Sequence, residues 1–119
     1  MRAFMLLVVI VAGLTAAYAR DLYPLNEDQI ASIKQTVTAT LKDPGSASFG
    51  PINATNLGAG QIFACGTVNA KNSFGGYVGQ MPFRGHLWQP DTTFFIDEMA
   101  EDQDAAVRIA SQCEGTLSR

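Results

Sequence analysis

The stretch Ile62-Phe63-Ala64-Cys65-Gly66-Thr67-Val68-Asn69-Ala70 carries the strongest strand signal in the chain. Successive side chains of a strand point to opposite faces of its sheet, so these residues divide into two sets. One face is predicted to carry Ile62, Ala64, Gly66 and Val68, and the other Phe63, Cys65, Thr67 and Asn69. We therefore expect this stretch to form the central strand of a sheet, on which the rest of the chain packs.

The beginning of the chain has the pattern of a secretory leader. Met1-Arg2 gives a short positive start, residues 3–14 are almost all apolar, and Ala17-Tyr18-Ala19 has the small-x-small pattern that a signal peptidase cleaves. The apolar run is shorter than the about 20 residues of a membrane anchor, and no cysteine follows it for lipid attachment. We expect residues 1–19 to be a signal peptide. Residues 20–119 are expected to form one small domain, periplasmic or secreted, without a stable membrane anchor.

Cys65 and Cys113 are the two cysteines of the chain. In an exported protein a pair of cysteines is typical of a disulfide, and we expect one between these two residues. The alternative is a redox or metal pair. There is no C-x-x-C motif and only one histidine, so no zinc-ligand spacing is present. The sequence therefore predicts a covalent bridge, with no metal site and no cofactor.

The charge balance of the chain is acidic. Eight Lys and Arg stand against eleven Asp and Glu, and loss of Arg2 with the leader would leave seven against eleven, a net charge of −4. Nucleic acids and anionic membrane surfaces are bound through clusters of basic residues. We therefore expect neither of them as a partner.

A helix is predicted ahead of the central strand. Asn26 is a good N-cap, and Gln29 follows three residues later, as in a capping box. The positions that share one face at helical spacing are Ile30, Ile33, Val37 and Leu41. Pro44 is expected to end this helix, because the residue before a proline avoids helical angles.

Residues 47–98 contain frequent glycines and short runs of β-branched and aromatic residues, which is typical of strands joined by turns. Besides the central strand, the pattern predicts strands at residues 47–54, 77–83 and 92–96. It predicts turns at residues 56–60 and 72–76. Gly50-Pro51 interrupts the first strand and favours an edge or a bulge. The segment 82–90, bounded by prolines, is interpreted as a connection that holds Arg84, His86 and Trp88.

A second helix is predicted after Asp102 or Asp104, with Gly115 as its stop. Its repeated face is expected to comprise Ala106, Ile109, Ala110 and Cys113. A bridge between Cys113 and Cys65 would tie this helix to the central strand. The predicted fold class is α+β: an N-terminal helix, about four antiparallel strands, and a C-terminal helix packed on the sheet, with one disulfide.

Two stretches resemble motifs of a group of small, mostly uncharacterised exported proteins of Gram-negative bacteria and some of their phages. The first stretch, within residues 41–49, matches K-D-P-x-S-A-x-F. The second, residues 65–79, matches C-G-x-V-N-x-K-N-x-F-G-G-Y-x-G. The resemblance covers residues 41–83. It implies export, a short hairpin and a compact domain, and it implies no catalytic residues.

The candidate binding residues come from two segments expected to be exposed. The hairpin at residues 71–76 contributes Lys71, Asn72 and Phe74, and the connection contributes Arg84, His86 and Trp88. Tryptophan and arginine are over-represented among residues that carry binding energy. We therefore expect a non-enzymatic binding module of the bacterial envelope, whose partner is another envelope or secreted protein.

Two alternatives remain open. His86 is the only histidine, and together with a carboxylate such as Asp91 or Asp97 it would give a small envelope hydrolase. An exposed edge at residues 47–54 would instead let the protein join a secretion or surface apparatus by strand addition.

Overall fold

Strand β4 (Gln61–Asn69) lies at the centre of the sheet, as residues 62–70 predict. The computed structural model describes residues 22–114. The predicted signal peptide and the predicted helix stop at Gly115 lie outside the described residues. Among the helices of residues 22–114, none is long and apolar enough to cross a membrane.

The sheet has six antiparallel strands, two more than the sequence indicates. On one side of β4 lie β2 (Ser48–Phe49) and β3 (Asn53–Gly58), and on the other lies β5 (Met81–Trp88). The outer strands are β1 (Leu22–Tyr23), beside β3, and β6 (Phe94–Met99), beside β5. The predicted α+β class is confirmed, with helix α1 (Glu27–Thr38) before the sheet and helix α2 (Gln103–Gln112) after it.

The two faces of β4 carry different clusters, as its alternation predicts. One face belongs to the larger core, whose fully buried members include Ile33 and Val37 of α1 and Ile62, Ala64, Phe83 and Leu87 of the sheet. The other face contributes Cys65 to a smaller cluster with Ala106 and Ile109 of α2. The helices therefore lie on opposite faces of one sheet.

The N-terminal helix begins as the sequence predicts and ends earlier. Asn26 Oδ1 accepts from the backbone N–H of Gln29 at 2.8 Å, and Gln29 Oε1 accepts from the Asn26 N–H at 3.0 Å, which completes the capping box. The helix ends at Thr38, well before Pro44. The hydroxyl and the N–H of Thr40 both donate to the carbonyl of Val37, which tightens the last turn. Leu41 therefore reaches the core from a turn, not from the helix.

The C-terminal helix is fixed to β4 by the predicted disulfide. Cys65 and Cys113 are bonded, with their Cα atoms 6.1 Å apart, and both side chains are fully buried. Asp102, one of the two predicted caps, accepts from the N–H of Ala105 at 2.8 Å. The prediction that Ala110 faces inward is wrong, because α2 contacts the sheet along the narrow stripe of Ala106, Ile109 and Cys113.

The predicted first strand is two strands. β2 and β3 pair with β4 in succession, and residues 50–52 form a kink between them that adds one residue relative to β4. Gly50 lies in this kink, where a Cβ would be only 2.2 Å from the hydroxyl oxygen of Thr67. β3 also includes residues 56–58 of the predicted turn, and the chain reverses its direction only at residues 58–60. The expected bulge at Gly50-Pro51 is confirmed, and the turn prediction at residues 56–60 is corrected.

The predicted connection at residues 82–90 is wrong, because most of it forms β5. This strand pairs with β4 from Met81 to Trp88, whereas residues 78–80 of the predicted strand lie outside it. Pro82 is tolerated because it lies near the beginning of the strand, where a missing N–H costs little. The final strand, β6, is likewise shifted toward the C-terminus, to Phe94–Met99.

Candidate functional site

A transverse row of side chains crosses the sheet face that carries α2. Cross-strand register places Leu22 beside Thr55, Thr55 beside Phe63, Phe63 beside His86, and His86 beside Phe95. Directly paired residues of antiparallel strands present their side chains on the same face. Five strands therefore contribute one residue each to a continuous row, and three of the five are aromatic rings.

This row lies beyond the part of the face that α2 covers. Phe63 contacts the α2 cluster and is half-buried, and Thr55 is almost fully buried, with 2% of its surface exposed. Leu22 is 44% exposed and Phe95 51% exposed. Trp88, on β5 next to His86 on the same face, is 43% exposed. We call the exposed and half-buried residues of this surface the open face: Leu22, Phe63, His86, Trp88 and Phe95.

The rings of the open face are ordered against one another. The His86 ring stacks on Phe95, with centroids 5.7 Å apart and planes inclined by 26°. The Trp88 ring stands perpendicular to the His86 ring, with the two centroids 5.7 Å apart. Both arrangements are favoured by aromatic quadrupoles. A shallow depression of about 510 Å³, lined by Thr55, Asn56, Leu57 and Phe63, continues the surface toward β3.

A band of charged side chains lies between the open face and α2. It is produced by a bulge in β6, where three residues, Ile96 to Glu98, stand opposite two residues of β5, Arg84 and Gly85. The bulge brings both Asp97 and Glu98 to Arg84, at 3.5 and 3.3 Å from its guanidinium nitrogens. Arg108 of α2 donates a hydrogen bond to Glu98. We call Arg84, Asp97, Glu98 and Arg108 the charged band.

The charged band is balanced between two cations and two anions. The hydrogen bond from Arg108 holds the pKa of Glu98 below its ordinary value, against the opposing effect of burial, and the positive charges of Arg108 and Arg84 lower it further. The same contact raises the pKa of Arg108 above its ordinary value. Both groups are therefore ionised at neutral pH, and the band is close to neutral overall.

His86 is connected to this band through its ring nitrogen Nδ1. Asp97 Oδ1 lies 2.9 Å from His86 Nδ1, and both side chains are partly exposed. Of the two carboxylates that the sequence offers for His86, the structure therefore selects Asp97. Asp91 lies in the turn between β5 and β6, where it accepts hydrogen bonds from the N–H and hydroxyl of Thr93, which lower its pKa.

The hairpin residues form a separate group. Lys71 pairs with Tyr77 just beyond the end of β4, six residues from Cys65, the partner of Arg84. Because an extended chain rises about 3.3 Å per residue, the six residues from Cys65 to Lys71 span about 20 Å. The six candidate binding residues therefore fall into two groups. Arg84, His86 and Trp88 lie in or beside the open face, whereas Lys71, Asn72 and Phe74 lie at the hairpin.

The hairpin turn is built by Asn72. Its Oδ1 accepts from the N–H groups of Phe74 and Gly76, at 2.9 and 3.1 Å, and its own N–H donates to the Gly76 carbonyl. Phe74 is displayed at the tip and is 96% exposed. The Lys71 ammonium lies 5.5 Å from the centre of the Tyr77 ring, a cation–π contact.

Sequence reasoning missed Leu22, Phe63 and Phe95 as partners of His86 in one row. A signal was present for part of this surface, because Phe83, Gly85 and Leu87 alternate with Arg84, His86 and Trp88 as in a strand with one buried face. The neighbours from other strands follow only from register, which the sequence does not encode locally.

Among residues 22–114, the structure places no group of three or more His, Cys, Asp or Glu side chains suitable for holding a metal ion. Comparison of the chain with protein-family models, with curated proteins and with solved structures finds no match in any of the three.

Proposed function

We propose that this protein is an exported, non-enzymatic binding module whose ligand site is the open face. The observation that carries the proposal is the ordered cluster of His86, Trp88 and Phe95, in which Trp88 and Phe95 remain exposed and His86 is half-buried, although α2 covers the same sheet face a few residues away. Contiguous apolar surface of this kind marks interaction sites on soluble domains.

Export is supported by two independent features. The disulfide is typical of proteins that mature outside the reducing cytoplasm, and the first nineteen residues have the pattern of a leader. A periplasmic or secreted location and a partner in the bacterial envelope belong to the proposal. Membership of the group of small exported proteins that residues 41–83 resemble stays a prediction.

The test is affinity capture from a Gram-negative envelope extract, with the purified disulfide-bonded protein as bait. Trp88→Ala is expected to reduce the captured amount at least tenfold, since a central aromatic residue contributes about 2 kcal/mol or more when it is a binding hot spot. Val107→Ala is the matched control, because Val107 is 61% exposed on α2 and lies outside both candidate surfaces. Thermal melts of each variant confirm that the fold is retained.

A variant of the hairpin supplies the result that would contradict the proposed site. Phe74→Ala removes the most exposed ring of the described residues without touching the open face. Loss of capture by Phe74→Ala together with full capture by Trp88→Ala would move the site to the hairpin and contradict the proposal.

A hydrolase is the second candidate, favoured by the 2.9 Å contact between His86 Nδ1 and Asp97. Such a contact fixes the tautomer of a histidine and leaves Nε2 to take a proton from water, as a general base does. If this is the function, His86→Ala and Asp97→Asn should each slow the release of soluble fragments from purified cell-wall sacculi at least a hundredfold. The absence of fragment release by the unaltered protein would eliminate this candidate.

The alternative of strand addition at residues 47–54 has less support. β1 pairs with Ala54 and Thr55 along the outer edge of β3. Of residues 47–54, the strand residues that stay unpaired at this edge are the two-residue strand β2 and Asn53. An edge this short offers a partner strand few hydrogen bonds.

A further inference from the structure

We propose that the ligand of the open face is a saccharide chain, bound with its ring faces on the aromatic row and its hydroxyl groups against the charged band. This inference rests on the proposed function, since it names the ligand class of the same site. It follows from three features of the site: the exposed aromatic rings, which form its floor; the charged band, which forms its rim; and its net charge.

The floor is aromatic where it is most exposed. An aromatic ring has a negative face, which attracts the weakly positive C–H bonds of a partner. A pyranose ring presents such C–H bonds on its faces and carries its hydroxyl groups at its edge. Trp88 and Phe95 offer ring surface of this kind at the two ends of the cluster, with His86 between them. The three centroids extend over at most twice 5.7 Å, which suits a short stretch of a saccharide chain.

The rim supplies both kinds of hydrogen-bonding group along one side of the floor. Arg84 carries N–H donors, and Asp97 and Glu98 carry only acceptors, with side chains between 23% and 29% exposed. A sugar hydroxyl both donates and accepts, so it can bond to either kind of group. Arg108 extends the donors toward α2 and is 55% exposed. A purely apolar ligand would leave this partly exposed band without new partners.

The net charge of the site favours a ligand without strong charge of its own. Two cations and two anions of the charged band compensate one another, and the whole chain is acidic. Polyanions need an excess of basic residues that this face lacks. An extended row of side chains across the strands also favours an extended, β-1,4-linked chain over a curved, α-1,4-linked one.

The experiment uses Trp88, the only tryptophan of the chain, as its reporter. The purified disulfide-bonded protein is titrated with a β-1,4-linked N-acetylglucosamine hexamer and, separately, with maltohexaose, while the emission of Trp88 is recorded. Amide chemical shifts of His86 and Phe95 are followed in parallel, so that a ligand that leaves the emission unchanged is still detected. We expect a saturable response to the β-1,4-linked hexamer, at least tenfold weaker with maltohexaose.

Phe95→Ala is expected to weaken binding of the β-1,4-linked hexamer at least tenfold, and Val107→Ala to leave it unchanged. No saturable response to either sugar, or an equal response from Phe95→Ala, would overturn the saccharide assignment. If both titrations are flat while capture from envelope extract still depends on Trp88, the saccharide assignment alone fails. If capture is also independent of Trp88, the proposed function fails with it.

Discussion

Replacing both cysteines with alanine, as Cys65→Ala/Cys113→Ala, is expected to lower the free energy of unfolding by about 4 kcal/mol. The bridge joins residues 48 positions apart, and it restricts the unfolded chain accordingly. Domains of this size have only about 5–15 kcal/mol in total, so the bridge accounts for about a quarter to four-fifths of the stability. The helix α2 is affected first, because its other buried contacts are limited to Ala106 and Ile109.

Urea unfolding of the oxidised protein and of the double variant measures this loss. Reduction of the unaltered protein with dithiothreitol is the control, because it breaks the same bond without changing a residue and should reproduce the shift. A loss below about 1 kcal/mol in both experiments would show that the bridge restricts the unfolded chain far less than its loop length implies.

Gly85→Ala is expected to cost about 3 kcal/mol, at the upper end of overpacking effects. A Cβ at this position would lie 2.2 Å from the carbonyl oxygen of Phe95 and 2.4 Å from the ring of Phe94. The first of these atoms is backbone and cannot turn away. The bulge that brings Asp97 to Arg84 and His86 would have to open, so the charged band would be lost together with stability.

Gly45→Ala is the matched control for this substitution. Its Cβ would meet only the Asp43 carboxylate, at 3.9 Å, and the change should alter the free energy of unfolding by less than about 0.5 kcal/mol. Urea unfolding compares the two variants. In addition, the side-chain resonances of His86 should move in Gly85→Ala and not in Gly45→Ala. Equal stability of the two variants would contradict the close approach of β5 and β6.

The parts of the fold that the sequence predicted depend on local signals. Asn26 and Gln29 form a capping box from residues three apart, and Asp102 caps α2 in the same way. The alternation within β4 separates its two faces, because period two is a property of the strand itself. The disulfide followed from the presence of two cysteines in a chain with a leader pattern.

The parts that the sequence did not predict depend on pairing between distant segments. The pattern predicts a connection where β5 lies, because Pro82 and Pro90 bound the segment that holds the polar residues Arg84 and His86. In the sheet these polar side chains lie on a face that α2 covers only in part. They are only half-buried there, so the free-energy cost of removing polar groups from water is small. The bulge at Asp97 arises from the approach of β6 to Gly85, and no pattern within β6 marks it.

The sequence therefore predicts which residues belong to the candidate site, but not how they are arranged in space. Arg84, His86 and Trp88 were selected by residue type, and the structure places them in one patch. Lys71, Asn72 and Phe74, which come from the hairpin, form the second group. Because β5 is a strand paired with β4, the two groups lie at different positions along the strands and are not side by side.

Isotope-edited NMR distinguishes contact of the partner with the open face from contact with the hairpin. The protein is labelled with ¹⁵N in its single tryptophan and in phenylalanine, and unlabelled envelope extract is added. We predict that the indole signal of Trp88 and the amide signal of Phe95 shift or broaden, whereas the amide signal of Phe74 does not. An unchanged Trp88 signal, at extract concentrations that saturate capture, would contradict this account.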